Sequence, residues 1–302
     1  FSTVLVISVL VRGFSTKPDQ GGSVPFHEHR SMDAAMEGNQ LAVTEPGWQV
    51  LEVQDSAAAK ATFARLSKDG VESWWMVDGA EGAVTLQETQ SVVETSDGRK
   101  LINGALASGT NQLRQVGNVE KLRGQETAPE GSVSPFGLLA AMSDPETTVR
   151  RWKDVKLTDA SGRSATIYYS TLTPGNKLMR PGLKFKVEGT PLEKFDFVSL
   201  MLALFLGTAA LPHILIRYYT VPNPAAARKS TIVAIAGIGF FYILTLYMGL
   251  GATMNSVINP ADSNMAAPLL ARSFGQILFA VISAIAFATV LGTVSGLIVA
   301  AS

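Results

Sequence analysis

The sequence predicts an α-helical membrane protein interrupted by a soluble α+β domain. Three observations predict this. The first is the placement of charge. The chain has 302 residues, 47% hydrophobic and 17% charged, with a formal net charge of zero. Residues 197–302 carry only Arg217, Arg228, Lys229, Asp262 and Arg272, so 45 of the 50 charged residues fall in the first 196. The second is that three long apolar runs lie in the charge-poor part. The third is that the charge-rich part carries strand-like alternation and turn signals. A simple soluble enzyme is thereby excluded. Neutrality gives no electrostatic reason to expect nucleic acid as a partner. With no cysteine, disulfides, iron–sulfur clusters and zinc–thiolate sites are excluded as well.

Residues 1–11, from Phe1 to Val11, are largely apolar and end at Arg12. As helix they reach about 17 Å, little more than half of a bilayer core of roughly 30 Å. They read as the end of a truncated transmembrane helix; the h-region of a signal peptide is the other reading, but its positive n-region is missing. Together with the uncapped apolar end at Ser302, this gives the expectation of a piece of a larger membrane protein, whose missing transmembrane helices are its partners.

Residues 12–195 are too long for a structureless connector and read as an inserted α+β domain. The Ala-rich stretch 55–68, with Asp55 or Ser56 as cap, reads as a helix. Residues 48–53, 73–77, 83–93 and 164–171 alternate or carry β-branched and aromatic residues, as strands do. Asp97-Gly98 is a turn signal, and 16–22 and 120–134 read as flexible flanks. No internal repeat is visible. His27-Glu28-His29 has the composition of a metal trio, but neighbouring positions on an extended segment alternate in direction. The expectation is a solvated loop and no metal in this domain. Trp74-Trp75 reads as core or as a membrane-surface anchor rather than a ligand platform. No nucleophile–His–Asp grouping, phosphate loop or carboxylate pair stands out, so the chain is not expected to be an enzyme.

Residues 196–302 hold the apolar runs 197–219, 231–254 and 274–301, each long enough for the 20 or so residues a span needs. The connection 217–230 contains Arg217, Arg228 and Lys229 and no acid, which makes it cytoplasmic by the positive-inside rule. Residues 255–273 and the whole of 12–195 then lie outside, extracellular or periplasmic, in a multi-pass protein of the cytoplasmic membrane. The first run holds Gly207, Thr208, Ala209, Ala210, Pro212 and His213 near its middle. Pro212 lacks an N–H and crowds the carbonyl of Thr208, and Gly207 weakens the helix there too. They predict a broken helix, which bilayers tolerate where protein or a water-filled cavity covers it and which transporters use to hold anions and cations. An ordinary proline kink is the plainer reading. His213 is a functional candidate as an ionisable residue within a span, or a hydrogen-bonding residue near the cytoplasmic end. In the third run, small residues suit close helix packing. Thr289, Gly292 and Thr293, at i, i+3 and i+4, share one face and offer two hydroxyls to a hard cation.

The run Asp-Phe-Val-Ser-Leu-Met-Leu-Ala-Leu-Phe-Leu-Gly-Thr-Ala-Ala-Leu-Pro-His-Ile-Leu-Ile-Arg-Tyr-Tyr-Thr-Val-Pro at 196–222 resembles the sodium:solute symporter family, closest to its cation/acetate branch. Ala-Ala-Arg-Lys-Ser at 226–230, Phe-Tyr-Ile-Leu-Thr at 241–245, Asn264-Met265-Ala266-Ala267 and the stretch 284–291 continue the resemblance, which covers roughly 180–302. It implies a leucine-transporter fold, an inverted repeat of which this chain holds the end of core helix 5 through core helix 8. It also implies symport of a small, acetate-like monocarboxylate with Na+ or H+ as coupling ion and no other cofactor. Gly207, Thr208, Ala209, Ala210, Pro212 and His213 then line the substrate, and Thr289, Gly292 and Thr293 part of the cation site. Two positions depart from the pattern. Ala210 stands where acetate-type members usually have glycine. Gly292 lacks a hydroxyl that some sodium-coupled relatives place there, which leaves sodium and proton coupling both open. A transporter-like sensor, whose outer domain binds a ligand or partner protein, is the alternative. Partners are thus a small carboxylate and membrane lipid.

Overall fold

The computed structural model describes residues 2–301 except 21–24, 80, 96, 128–130, 181, 183–186, 188 and 211–220. Residues 2–178 and the ends of the long helices build one packed unit; the rest of those helices extends away from it.

The chain opens with helix α1 (Ser2–Arg12). Strands β1 (Ser31–Glu37), β2 (Gln40–Val43), β3 (Gln49–Ser56), β4 (Ala61–Lys68), β5 (Val71–Asp78) and β6 (Gly82–Glu88) follow. They form a six-stranded sheet in the order β2-β1-β6-β5-β4-β3. The described pairings are antiparallel, and the two edge strands β2 and β3 approach each other, so the sheet curls on itself. Met32, Ala34 and Met36 of β1 alternate with exposed neighbours and fill the concave side with Leu66, Trp75, Val77 and Leu86.

A second six-stranded sheet, ordered β10-β11-β12-β7-β8-β9, uses β7 (Gln90–Glu94), β8 (Lys100–Ile102), β9 (Ala105–Leu106), β10 (Asn118–Lys121), β11 (Thr148–Thr158) and β12 (Ser164–Pro174). Its Val93, Val155, Ala165, Ile167 and Tyr169 pack against Phe63 and Trp74 of the first sheet. The paired tryptophans are core. Strand alternation sends Trp75 into the curled sheet and Trp74 to the seam between sheets, with 3% and 2% of their surfaces exposed.

The helix expected over 55–68 is instead the end of β3, a turn, and β4. Lys60 closes that turn at φ 54°. Both sides of β4 are covered, with Phe63, Ala64, Arg65 and Leu66 buried in succession, so its alternation is invisible and its alanines read as helix. The stretch 83–93 is two strands, β6 and β7, which belong to different sheets. Asp97-Gly98 does turn the chain between β7 and β8, with Gly98 at φ 77°. The flanks are more ordered than expected: Glu120 lies in β10, and Gln20 is buried with its amide donating to Gln115 O at 2.9 Å. The domain is mostly β, and among the described residues its helical content is α2 (Pro135–Ser143) and α3 (Gly175–Leu178). Ser134 caps α2, accepting from Gly137 N at 3.0 Å.

Four further helices are α4 (Pro191–Ala209), α5 (Pro224–Met254), α6 (Ala266–Ser273) and α7 (Gln276–Ala301). Thr190 and Glu193 form a capping box on α4. Asn223, with Pro224 behind it, caps α5, accepting from Ala226 N at 2.8 Å, so that helix starts seven residues before the apolar run. α5 and α7 are each long and apolar enough to cross a membrane, with mean hydropathy 2.0 and 2.4. The first expected span, 197–219, is helical to Ala209, and residues 211–220 lie outside the described ones.

The sheets join the helices through one core. Leu5 and Val9 of α1, Leu138 and Met142 of α2, Tyr247 and Met254 of α5, and Leu270 of α6 are buried together. Arg12 closes it, donating to Asn255 Oδ1 at 2.8 Å and lying 5.1 Å from the Phe274 ring centroid. Tyr247 donates its hydroxyl to Pro135 O at 2.9 Å. Residues 255–273 are bonded to the β-domain by an antiparallel bridge between Val116 and Ile258. The C-terminal ends of α1 and α5, helix α6 and the β-domain thus sit together.

Candidate functional site

Gly207 and Thr208 occupy the last turn of α4, which ends at Ala209 with Ala210 as C-cap, its N–H donating to Leu206 O at 3.0 Å. Gly207 and Thr208 are exposed, and a Cβ added at Gly207 would meet nothing within 4 Å. Pro212 and His213 lie outside the described residues. The helix runs unbroken through Gly207 and Thr208.

On α7, Thr289, Gly292 and Thr293 share an exposed face, as their spacing requires. Thr289 Oγ1 donates to Ile285 O at 2.8 Å and Thr293 Oγ1 to Thr289 O at 2.9 Å. These back-bonds to the preceding turn use each hydroxyl's proton and leave its lone pairs outward. A hydroxyl has one donor and two acceptor sites, so both oxygens stay free to face a cation. Nothing lies within 4 Å of a Cβ built at Gly292. Among the described residues, α4 and α7 are not packed together, and the two groups do not converge on one cavity.

The structure brings together a group that sequence reasoning dismissed. His27 and His29 lie on the same side of an extended segment, and Glu28 points away to pair with Lys17. The alternation that argues against three adjacent ligands puts the first and third together. Their rings stand edge to face with centroids 4.9 Å apart. Glu88, the last residue of β6, joins them: His27 Nε2 is 3.4 Å from both Glu88 oxygens. One ligand atom from each of His27, His29 and Glu88 can be chosen so that all lie within 4.8 Å of one another.

Backbone pairing fixes this group. Glu88 N donates to Arg30 O at 2.9 Å, which extends the β1–β6 ladder by one pair, and Arg30 N donates to Glu88 Oε2 at 2.8 Å. The His29 ring packs on Trp152 of β11, centroids 4.6 Å apart, so the cluster sits where the two sheets meet. Arg114 reaches in from the β9–β10 connection, its Nη1 2.6 Å from His27 Nε2 and 3.2 Å from Glu88 Oε1. Its backbone is held by buried Gln90, which donates to Arg114 O at 3.0 Å and accepts from Arg114 N at 2.6 Å.

Burial holds His29 well below the usual imidazole range, at about 4, against the upward pull of Glu88. Burial pulls the Glu88 carboxyl up, yet the His27 hydrogen bond, the Arg30 N–H and the histidine charges outweigh it and hold it at about 2. Beside His29 a cavity of about 330 Å³ is lined by Thr16, Lys17, Phe26, Glu120 and Arg150 among others. Its charges are of both signs.

Two helices long and apolar enough to cross a bilayer, with a β-domain packed at one end of them, are what an integral membrane protein with a large domain outside the bilayer has. Residues 160–302 match the sodium:solute symporter family, as the run at 196–222 suggests. The match begins in the β11–β12 turn and leaves most of the β-domain outside it. The chain is 46% identical over 155 residues to the monocarboxylic acid transporter of Corynebacterium glutamicum, an alignment covering 48% of this chain and 28% of that protein. It is 51% identical over 139 residues to the uncharacterized symporter YwcA of Bacillus subtilis, covering 44% of this chain and 26% of the relative. The matched part thus spans little more than a quarter of either relative. No solved structure matches the chain.

Proposed function

We propose that this chain is the portion of a secondary transporter that contributes part of the substrate and cation sites for symport of a small monocarboxylate. The observation that carries the reading is the family match over 160–302, with a relative named as a monocarboxylic acid transporter. The substrate is acetate-like, the coupling ion Na+ or H+, and the location the cytoplasmic membrane with the β-domain outside. Gly207, Thr208, Ala209 and Ala210 present backbone groups to the carboxylate at the end of α4, with Pro212 and His213 beyond them. A broken helix offers anions a half-helix N-terminus and cations the free carbonyls of the break. Thr289 and Thr293 supply cation ligands. Their hydroxyl protons are already committed along the helix, so the oxygens act as acceptors, as a hard cation requires. Gly292 gives room between them.

The test is uptake of labelled acetate by the full-length parent protein in proteoliposomes, with sodium and proton gradients imposed separately. Concentrative uptake under one gradient is expected and identifies the ion. No uptake of acetate, propionate or pyruvate under either gradient, with folded protein, overturns the reading. In the same assay, Thr289→Ala with Thr293→Ala is expected to raise the cation concentration for half-maximal uptake at least about 10-fold, since one lost contact to a charge already costs roughly 1.4 kcal/mol. An unchanged cation dependence removes the assignment of these two residues.

A further inference from the structure

We propose that His27, His29 and Glu88 form a divalent transition-metal site, of zinc type, at the junction of the two sheets of the β-domain. The donor set is two imidazoles and a carboxylate, a combination that zinc accepts with a fourth position left open. The His27 Nε2 to Glu88 contact, 3.4 Å, already equals the edge of about 3.4 Å that tetrahedral ligands near 2.1 Å from zinc define. The widest separation among the three ligand atoms, 4.8 Å at most, must shrink by roughly 1.4 Å to reach that edge, a distance that side-chain rotation covers.

Three further observations point the same way. His29 Nδ1 is buried and has no hydrogen-bond partner among the described residues, which is unusual for a ring nitrogen and natural for one that ligates. The contacts of His27 are mutually inconsistent as hydrogen bonds. Arg114 can only donate, so Nε2 either accepts from Arg114 or donates to Glu88, and one of the two contacts is left without a hydrogen bond. What this nitrogen and the carboxylate share is attraction to a positive charge, and Arg114 supplies one. Its side chain is 48% exposed, so it can leave without disturbing the core. Finally, the chain has three histidines and no cysteine, and two of those histidines are placed here on one side of one extended segment. The supporting contacts a metal site needs are present too: Arg30 N on Glu88, and Trp152 on the His29 ring. The cavity beside His29 gives an entry path.

The metal would fasten the segment that leads from α1 into β1 onto the end of β6. This inference does not rest on the transport reading, and its test does not measure transport. The full chain in detergent, stripped with chelator, is titrated with Zn2+ by calorimetry and with Co2+ by visible absorption. We expect one equivalent of Zn2+, d–d bands of a low-coordinate Co2+, and a higher thermal midpoint with Zn2+ present. His29→Ala and Glu88→Gln should each weaken binding by about 100-fold or more, beyond the loss of a supporting contact. His213→Ala should leave it unchanged, and Arg114→Ala should tighten it by removing the competing cation. Should His29→Ala not fold, Glu88→Gln and the Co2+ spectrum decide. Absence of stoichiometric Zn2+ binding by the folded chain overturns the proposal. Equal affinity in Glu88→Gln, or loss of binding in His213→Ala, overturns it as well and leaves an Arg–His–Glu ion cluster.

Discussion

Single residues show most clearly how the two sheets are locked. Arg65 of β4 is 7% exposed in its side chain and reaches Glu52 at 3.1 Å, Glu72 at 3.2 Å and Asp159 at 3.5 Å. Arg163 joins, 2.8 Å from Glu72 and 2.7 Å from Asp159. Three carboxylates and two guanidiniums thus tie β3, β4 and β5 to the β11–β12 turn. Removing one partner from such a cluster leaves buried charge uncompensated. Arg65→Ala is expected to destabilise the β-domain by about 3–5 kcal/mol, seen as a lower thermal midpoint by circular dichroism. Acid should act on the same cluster. Burial raises the Asp159 carboxyl, but the Arg163 backbone and side chain, with Arg65, outweigh it and lower it overall. A carboxyl depressed in the folded state binds fewer protons there than in the unfolded chain. Its contribution is complete above the ordinary aspartate value of about 3.9 and is lost as pH falls through the native value. The midpoint should therefore drop below about pH 4, and Asp159→Asn should flatten that acid limb while lowering the plateau. An acid limb unaltered by Asp159→Asn would assign it to other carboxylates.

At the scale of elements, legibility followed burial. α5 and α7 were readable because a helix that faces lipid needs apolar residues all round, and both have them. Strands with one exposed face were readable too: β1 shows buried positions at Met32, Ala34 and Met36 only. β4 was not, because a strand covered on both sides loses the period that marks it. The β6–β7 boundary was hidden because the polar run at 87–91 contains no Gly, Pro, Asn or Asp to signal a turn where the chain changes sheet. The metal-like cluster was half visible: the spacing of His27 and His29 is local, but Glu88 arrives by strand pairing at a separation of about 60 residues, which no local pattern reports. One contact that sequence did not suggest at all is α1 against α5. A Cβ on Gly251 would come within 2.4 Å of Val9 Cγ2, and a β-branched side chain on a helix has little freedom to turn aside. Gly251→Ala should lower the midpoint in detergent. Its clash, about 1–3 kcal/mol, exceeds the roughly 1 kcal/mol gained in helix propensity. Combining it with Val9→Ala should cost less than the sum of the two single changes, since the smaller partner makes the room. Strict additivity would show that this contact does not limit stability.

The whole molecule poses a question of sidedness that its own composition makes easy to answer. The C-terminal end of α1, residues 255–273 and the β-domain are joined by the bridge at Val116 and Ile258 and by the contacts of Arg12. They must therefore share one side of any bilayer that α5 and α7 cross. Arg228 and Lys229, in the first turns of α5, lie at its other end, about 38 Å from Met254 at 1.5 Å per residue. A bilayer core of about 30 Å fits between them. In the topology proposed above, the basic residues at that end, without acids, are cytoplasmic and the β-domain is outside. The chain has no cysteine, so single cysteines report position without removal of native ones. Ser161→Cys, exposed in the β11–β12 turn, should react with a membrane-impermeant maleimide in intact cells. Ala225→Cys, exposed at the start of α5, should react only after permeabilisation. The reverse pattern would invert the topology and place the β-domain with its Arg65 cluster and histidine pair in the cytoplasm. Labelling of both sites in intact cells would mean that α5 does not cross the membrane at all.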